Sequence, residues 1–283
     1  MKQFLKHISQ KTNVSVHTVR RITDDTARLL TIKPLHDLPE HLCFDEFKSI
    51  KSSDSNMCFI ICDSTTHKLV DVVRDRKSYS LKQYFHRFEP KTRLKVKTIS
   101  IDMYLPYIQL IKEIFPNEKI IIDPFHILQA LYRKLNRTRI RVMNRHRYKD
   151  PKLYRKLKHY WKLILKNPNE LQNYKYNRYK LFESFITSKG IVDYILENNP
   201  SLKNDYVVVH SLRECIQDRD YIEFKETIEA ATQLDLSPGL KRVLKTLMTY
   251  LPYIQNTCEY PTRTNGPIEG INNKSTQKKC LRL

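Results

Sequence analysis

Acidic residues end several short apolar runs of this sequence: Asp45, Asp63, Asp102 and Asp123. In an open sheet, side chains at the carboxyl ends of strands face the crevice where ligands bind. Two carboxylates brought together there repel each other and need cations. Mg²⁺ or Mn²⁺, held by one or two carboxylates and by substrate phosphates, meets that need. The pattern does not choose two of these four residues, nor does it separate Asp45 from its neighbour Glu46.

A further carboxylate, Glu269, lies between two glycines in the run GPIEG near the end of the chain. The residues Asn265, Gly266 and Pro267 predict a defined turn that starts a helix near Glu269. A third carboxylate would complete a two-metal site, in which the ions lie about 3.5–4 Å apart on the attacking and leaving oxygens. Glu269 is therefore the candidate for the third ligand.

The charge of the chain indicates an anionic partner. Its 283 residues include 51 Lys and Arg against 30 Asp and Glu, which gives a net charge of +21. Nucleic acid is the commonest partner of so basic a protein, and a membrane surface is the alternative. The sequence has no apolar run of the roughly 18 residues that a bilayer crossing requires, and its N-terminus has no secretory pattern. We expect no membrane association.

Six cysteines are scattered along the chain without the paired spacing of a metal site. Cys58 and Cys62 lie in the apolar run MCFIIC, where burial on one face of a strand is favoured over a disulfide or a metal. This use of cysteine predicts a cytoplasmic protein.

The first segment, residues 1–33, predicts two short helices joined by a turn at Asn13, with Ser15 capping the second helix. The second helix would carry His17, Arg20 and Arg21 outward. A basic second helix favours a DNA-binding helix-turn-helix over a helical hairpin that packs on the next domain. A linker with two prolines follows at residues 34–40.

Short runs rich in Ile, Val and Phe predict strands at 41–47, 57–63, 68–73, 96–102 and 119–123. Helical stretches separate the third, fourth and fifth runs. Three strands in succession, followed by helix, strand, helix and strand, predict an α/β fold with a mixed sheet.

Strand patterns nearly vanish from residue 127 to residue 260, which predicts a long helical segment. Its first part, Ile127–Lys180, holds 17 Lys and Arg but only two acidic residues. This imbalance favours contact with a phosphate backbone. The candidate contacts are Arg133, Lys134, Arg137, Arg139, Arg141 and Arg145. The tyrosines between them either stack on bases or, as the sequence favours, point into a core.

Four motifs together closely resemble the DDE transposases of bacterial insertion sequences, and more narrowly their ISL-three family. They are FDEF at 44–47, SIDMYLPY at 100–107, IIDPFHI at 121–127 and TNGPIEGINNK at 264–274. The resemblance runs from about residue 4 to residue 274, and TNGPIEGINNK is its most specific piece.

The resemblance implies an RNase H-like catalytic core at 41–126, a basic helical insertion at 127–260 and a helix with the third acidic residue at 261–283. The catalytic and metal-binding triad maps onto Asp45, Asp102 and Glu269. The matched motifs give Asp123 and His126, together with Asn265 and Asn272, supporting roles. For His126, a structural role and contact with DNA stay open.

The implied reaction is phosphodiester cleavage at the ends of a mobile element, followed by transfer of the exposed 3′-hydroxyl to target DNA. Two Mg²⁺ or Mn²⁺ ions are expected with DNA bound. The implied partners are double-stranded terminal inverted repeats and target DNA in the bacterial nucleoid. The resemblance is compatible with a homo-oligomer, since transposases of this chemistry often act as multimers.

The chain departs from the family at both ends. Members usually carry a Cys-rich zinc-binding segment before the helix-turn-helix and a basic, aromatic stretch after the residues that match Asn273-Lys274. We therefore expect a chain truncated at both ends. The alternative functions are a remnant that binds terminal repeats without cutting them and an unrelated basic regulator.

Overall fold

The structure of the protein is a computed structural model that describes residues 2–32, 37–48 and 57–266. It divides into two compact units. The first, which we call the sheet unit, comprises residues 1–123 and 262–283, and the second, the helical unit, comprises residues 124–261. The division falls three residues before the sequence-based boundary between 126 and 127, so the chain leaves the sheet unit directly after Asp123.

Two helices begin the sheet unit, α1 (Lys2–Thr12) and α2 (Val16–Ile32). Asn13 between them has a φ of 52°, a left-handed conformation that asparagine tolerates better than most residues. The hydroxyl of Ser15 accepts a hydrogen bond from the backbone N–H of Thr18 at 3.1 Å. The predicted turn and its serine cap are therefore confirmed.

A five-stranded mixed sheet forms the centre of this unit. The strands are β1 (His41–Lys48), β2 (Met57–Asp63), β3 (Leu69–Val73), β4 (Thr98–Ile101) and β5 (Lys119–Ile122). Their order is β3-β2-β1-β4-β5. The strands β1, β2 and β3 pair antiparallel, whereas β1, β4 and β5 pair parallel. The predicted mixed α/β sheet is confirmed, with strand ends within two residues of those expected.

Helices fill the connections that parallel strands require. They are α3 (Ser78–Phe85) and α4 (Pro90–Arg93) before β4, and α5 (Leu105–Ile114) before β5. Phe44 of β1 lies under them, 1% exposed, with its ring 5.1 Å from that of Phe59 and 5.6 Å from that of Phe85. The aromatic core therefore fixes β1 one residue before Asp45.

The cysteines of the sheet are buried, as the sequence predicted. Cys43, Cys58 and Cys62 are at most 5% exposed and none of them forms a disulfide. Cys43 and Cys62 face each other across β1 and β2, where they pack as small apolar side chains.

The helical unit consists of seven α-helices, a turn of 3-10 helix and a small hairpin. The elements are α6 (Pro124–Lys149), α7 (Pro151–His159), α8 (Trp161–Ile164), the 3-10 turn (Pro168–Glu170), β6 (Asn177–Arg178), β7 (Phe185–Ile186), α9 (Ser188–Glu197), α10 (Pro200–Asp218), α11 (Tyr221–Ala231) and α12 (Pro238–Glu259). The expectation of an all-helical segment is wrong at one place, because β6 and β7 pair antiparallel. None of the helices in the described ranges has the length and apolar character needed to cross a membrane.

A buried carboxylate joins three helices of this unit. Asp205 of α10 is fully buried and accepts hydrogen bonds from the hydroxyl of Thr138 in α6 at 2.7 Å and from the backbone N–H of Ser237 at 2.9 Å. Ser237 in turn caps α12 through its hydroxyl. Both carboxylate oxygens therefore have donors, as burial of a charged group requires.

A buried histidine, His210, belongs to the same helix, α10. The Nε2 atom of His210 is 3.2 Å from the backbone oxygen of Ile164, and its Nδ1 atom is 3.3 Å from the hydroxyl of Tyr132. Since a carbonyl only accepts, Nε2 carries the hydrogen and Nδ1 accepts from Tyr132. Burial lowers the pKa of His210 to about 4 from its ordinary 6.5, so the folded protein keeps this ring neutral.

We predict that acidification destabilises the protein through His210. As the pH falls from 6.5 towards 4, the unfolded chain binds a proton that the folded chain does not, so the free energy of unfolding falls. Between pH 7 and pH 5 this one group contributes a loss of about 2 kcal/mol. Denaturant unfolding of the full chain at both pH values measures the loss, and His210→Gln should lose about that much less than the wild type. An equal loss in both proteins would contradict a neutral buried His210.

Candidate active site

Two of the predicted acidic residues lie in the C-terminal parts of neighbouring parallel strands, Asp45 within β1 and Asp102 directly after β4. The β1–β4 pairing runs from His41 with Thr98 to Cys43 with Ser100. Two residues further along each strand stand Asp45 and Asp102, both half-buried. Because neighbouring strands lie about 4.8 Å apart, these carboxylates occur at the same end of the sheet. We call this the acidic end.

Asp123 follows the third strand of the same parallel set. In the β4–β5 pairing Ile101 is opposite Ile122, and the backbone N–H of Asp123 donates to the oxygen of Ile101 at 2.9 Å. Asp123 therefore lies beside Asp102 on the neighbouring strand. It is only 3% exposed. The acidic end thus has two half-buried carboxylates and one buried carboxylate beside them.

Asp63 lies at the opposite end of the sheet, because β2 runs antiparallel to β1 and Asp63 pairs with Leu42 at the start of β1. Its carboxylate accepts from the backbone N–H and the hydroxyl of Thr66, and from the backbone N–H of Thr65 at 2.7 Å. Burial raises the pKa of Asp63, but the hydroxyl and the N–H groups lower it overall. Asp63 therefore stabilises a turn and is removed from the four candidates.

Glu46 is bonded at both oxygens, which separates it from Asp45. One oxygen pairs with the guanidinium of Arg76 and the other accepts from the hydroxyl of Tyr107 in α5. Burial and the Glu46 carboxylate raise the pKa of Tyr107 above its ordinary range. Glu46 therefore links β1 to α5, whereas Asp45, on the alternate face of the strand, belongs to the acidic end.

The chain returns from the helical unit along β1 and β4 towards the acidic end. The hydroxyl of Ser100 donates to the backbone oxygen of Arg263 at 3.0 Å. The guanidinium of Arg263 donates to the hydroxyl of Thr65 at 2.7 Å. We call residues 262–266 the return segment. Its anchors Ser100 and Thr65 are site residues that sequence reasoning missed, since no local pattern marks a contact with a residue more than 150 positions away.

Asn265 is the last but one residue of the return segment and is 1% exposed. Its Nδ2 atom donates to the backbone oxygen of Phe44 at 2.9 Å and to Oδ1 of Asp102 at 3.4 Å. Since both partners only accept, the amide is oriented with its nitrogen towards them. Asn265 thereby connects β1 to the residue that follows β4, since Phe44 is one residue and Asp102 two residues beyond the last backbone pair.

The other side-chain atom of Asn265, Oδ1, is buried without a hydrogen-bond partner in the part of the chain that the structure describes. A buried acceptor without a partner costs about 1–3 kcal/mol and so requires an explanation. The predicted residues Glu269 and Asn272 lie outside the described residues. Within residues 2–32, 37–48 and 57–266, no three His, Cys, Asp or Glu side chains are grouped to hold a metal ion.

His126 lies in the first turn of α6 and belongs to the helical unit. It is half-buried, and its ring meets that of the exposed Phe125 nearly at a right angle, with 5.3 Å between the centroids. Its predicted supporting role stays a prediction.

The basic residues predicted to contact DNA are mostly exposed. His17, Arg20 and Arg21 are exposed on α2. On α6 the exposed arginines are Arg133, Arg137, Arg141 and Arg145, and Lys134 is half-buried. Residues four apart lie next to one another on a helix, so the four arginines form one ridge about 18 Å long.

Arg139 does not belong to that ridge and corrects the predicted set. It is 7% exposed, and its guanidinium donates to the backbone oxygen of Leu157 at 2.9 Å and to the side chain of Asn136 at 2.8 Å. Burial lowers the pKa of Arg139. This arginine holds α6 against the C-terminal part of α7.

Comparison with known proteins identifies the family of the chain. The family model of the ISL-three DDE transposases, described as a transposase, matches residues 42–280. The chain belongs to this transposase family. The match begins with β1 and includes the acidic end, the helical unit and the return segment.

A curated relative of this transposase-family chain from Lactococcus lactis subsp. lactis is described as an ATP-dependent protease. It is 29% identical over 106 residues, which cover 38% of the chain and 32% of the relative. The aligned part of the chain thus spans about a third of that relative's length. No solved structure matches the chain.

Neutralising Asp45 and neutralising Glu46 should have different effects on the free energy of unfolding. We predict that Glu46→Gln lowers the free energy of unfolding by about 1–2 kcal/mol, because it weakens charge-assisted bonds to Arg76 and Tyr107. Asp45→Asn should leave stability within about 0.5 kcal/mol of the wild type or raise it, since it removes repulsion from Asp102. Denaturant unfolding in EDTA measures both. If Asp45→Asn destabilises as much as Glu46→Gln, Asp45 is a structural residue.

Proposed function

We propose that this chain is an insertion-sequence transposase with an RNase H-like core. Asp45 and Asp102, with Glu269 as the third acidic residue, form its active site for phosphodiester cleavage and strand transfer at element ends. One observation carries the proposal. The amide of Asn265 bonds both to the end of β1 and to Asp102, so the most specific family motif starts at the predicted site.

The sheet order supports the RNase H-like assignment. Three antiparallel strands followed by two parallel strands on the other side of β1 are the arrangement that the family resemblance implies. The sheet also explains the choice of acids. The C-terminal half of β1 holds Asp45, and Asp102 follows β4, whereas Asp63 lies at the other end of the sheet and Glu46 is bonded to Arg76 and Tyr107.

The return segment supports Glu269 as the third acidic residue. Four residues of chain reach at most about 14 Å, so Glu269 is tethered within that distance of Asn265, whose side chain touches Asp102. By the same measure, the seven residues to Asn272 tether it within about 25 Å of Asn265. The buried Oδ1 atom of Asn265 has no hydrogen-bond partner among the described residues. This also fits a site that includes residues after 266.

The residues fit divalent metal ions. Asp45 and Asp102 offer carboxylate oxygens, the hard donors that Mg²⁺ and Mn²⁺ take, and Asp102 is held in place by one N–H of Asn265. When bound together with DNA, two such ions would supply Lewis-acid activation of the attacking oxygen and charge stabilisation at the leaving oxygen.

The chain's own residues supply precision. The aromatic core fixes Phe44, the backbone of Phe44 accepts from Asn265, and Asn265 orients the carboxylate of Asp102. A reacting group misplaced by about 1 Å can cost about a hundredfold in rate. We assign the same positioning role to Asp123, which is buried beside Asp102 at the end of β5, and a supporting role to His126.

Basic surfaces of the chain suit the DNA that this reaction requires. We assign recognition of terminal repeats to α1 and α2 as a helix-turn-helix, with His17, Arg20 and Arg21 towards the DNA. The arginine ridge of α6 and Lys134 would hold phosphates, with affinity that falls steeply as salt rises. A protein that acts on bacterial DNA in this way works in the cytoplasm at the nucleoid, and as a homo-oligomer if it pairs two element ends.

The alternative is a chain that binds terminal repeats without cutting them. It predicts binding that needs Arg20 and Arg21, with no cleavage in Mg²⁺ or Mn²⁺. The carboxylates of the acidic end support a chain that cuts DNA over one that only binds it. We do not extend the protease description of the Lactococcus relative to this chain, because that match covers 38% of it and the transposase family matches residues 42–280. Family membership also removes the unrelated regulator.

We predict that the full chain nicks a supercoiled plasmid that carries the DNA flanking its reading frame, and that nicking requires Mg²⁺ or Mn²⁺. Asp102→Asn should lower the rate by about a hundredfold or more, because it removes one carboxylate donor. Asp63→Asn, at the other end of the sheet, is the matched control and should cut within about threefold of the wild type. Conversion of plasmid to its relaxed form, followed on agarose gels, measures each rate.

Equal nicking by the wild type and Asp102→Asn would overturn the assigned site. Specific binding of the flanking DNA without nicking in either metal would select the remnant instead.

A further inference from the structure

The β6–β7 hairpin and the residues that lead into it present aromatic side chains to solvent, and we propose that they bind unpaired DNA bases by stacking. We call Tyr174 and Tyr176, which precede β6, and Phe185 of β7 the aromatic platform. The inference rests on the proposed function for the identity of the nucleic acid, and it adds a substrate feature that the acidic end does not supply. Sequence reasoning favoured core positions for the tyrosines of this region.

Strand alternation places the platform on one face of the hairpin. Asn177 pairs with Ile186, and Arg178 pairs with Phe185. Because side chains alternate between faces along a strand, Phe185 and Arg178 share a face, and Tyr176 leads onto that face two residues earlier. Tyr174 lies two residues before Tyr176, at a bend of the chain.

The opposite face of the hairpin packs on the helical unit. The ring of Tyr179 lies 6.2 Å from that of Tyr160, and the ring of Phe182 lies 5.8 Å from it. The Tyr160 hydroxyl donates to the backbone oxygen of Lys180. The ammonium of Lys156 lies 4.2 Å from the Phe182 ring centre. The hairpin therefore has one face on the protein and one face in water.

Hydrogen bonds and close packing hold the base of the hairpin. The backbone N–H of Gln172 donates to the Ser188 hydroxyl at 2.8 Å, and the N–H of Lys189 donates to the oxygen of Gln172 at 3.1 Å. A side chain at Gly190 would come within 3.0 Å of Ile186, so α9 lies directly against β7. The platform is consequently presented from a fixed base.

The exposure of the platform is unusual for a solvent-facing surface. Tyr174 is 77% exposed, Tyr176 is 65% exposed and Phe185 is 67% exposed. The solvated face of a hairpin normally carries polar residues, and grouped exposed apolar side chains mark binding sites. A ligand that covers these rings would recover their burial.

Charge selects nucleic acid as the ligand. Lys175, Arg178 and Lys180 are exposed beside the rings, and Glu183 is the one acidic residue between Gln172 and Lys189. Flat apolar rings with cations around them match the bases and phosphates of a single strand, for which base–aromatic stacking contributes about 1–3 kcal/mol per base. Bases in a duplex are already stacked and present only their edges in the grooves. The platform therefore fits unpaired bases, which arise where strands are cut and joined.

The test compares a 20-nucleotide thymidine oligonucleotide with a blunt duplex of the same length, by fluorescence anisotropy with the full chain. We expect the triple variant Tyr174→Ser, Tyr176→Ser, Phe185→Ser to bind the oligonucleotide at least tenfold more weakly and the duplex within twofold of the wild type. The matched control is Tyr79→Ser, which removes a 71% exposed tyrosine of α3 in the sheet unit and should change neither affinity.

A second readout detects stacking itself and covers the case of a poorly folded triple variant. The chain has a single tryptophan, Trp161, so Trp161→Phe with Tyr176→Trp places one fluorophore on the platform. The oligonucleotide should quench its emission, and the duplex should not. Unchanged oligonucleotide affinity in the triple variant, equal loss for both DNAs, or absence of quenching would each overturn the platform.

The outcome is separable from that of the proposed function. A chain whose platform fluorescence the oligonucleotide quenches, but which never nicks DNA, would contradict the proposed function alone. A triple variant that nicks and binds normally but changes its mass in sedimentation would assign these rings to a second copy of the chain, and it would overturn the proposal.

Discussion

The acidic end depends on one side-chain amide, that of Asn265, which bonds to β1 and to the residue that follows β4. Backbone pairing of β1 with β4 stops at Cys43 and Ser100, and the side chain of Asn265 then bonds to Phe44 and to Asp102. One asparagine thus ties together a residue of the core, a carboxylate of the acidic end and the last part of the chain. Asn265 and Phe44 are buried, so little water competes for the bond between them, whereas Asp102 is half-buried and its bond to Asn265 is longer, at 3.4 Å.

Long-range tethering follows from this contact. The sheet unit contains the two ends of the chain, and residues 124–261 form a separate unit between them. A carboxylate far along the sequence can join Asp45 and Asp102 only if the return segment is fixed. Ser100 of β4 and Thr65 of the β2–β3 turn bond to Arg263, and Phe44 of β1 bonds to Asn265, so the segment is fixed at three points. The aromatic core around Phe44 holds β1, and with it Asp45, in a fixed position.

The sequence predicted the elements of the sheet well, because each strand is a compact apolar run bounded by polar residues. It could not choose among the strand-end acids, since the choice depends on strand direction. Asp63 ends an antiparallel strand and therefore lies at the wrong end of the sheet, while Glu46 differs from Asp45 only through its partners Arg76 and Tyr107. Arg139 was misjudged for a related reason, because its burial depends on α7. The aromatic hairpin escaped prediction because two-residue strands leave no periodic pattern.

Iron-directed backbone cleavage tests directly whether Asp45, Asp102 and Glu269 surround one metal site. Fe²⁺ in place of Mg²⁺, with ascorbate and peroxide, cuts polypeptide chains beside the ion, and carboxylate sites that hold Mg²⁺ accept Fe²⁺. A metal site formed by Asp45, Asp102 and Glu269 should give fragments that end near each of these residues, all suppressed by excess Mg²⁺ and by Asp102→Asn. Cuts near Asp45 and Asp102 without any near Glu269, or cuts that persist in Asp102→Asn, would contradict this site.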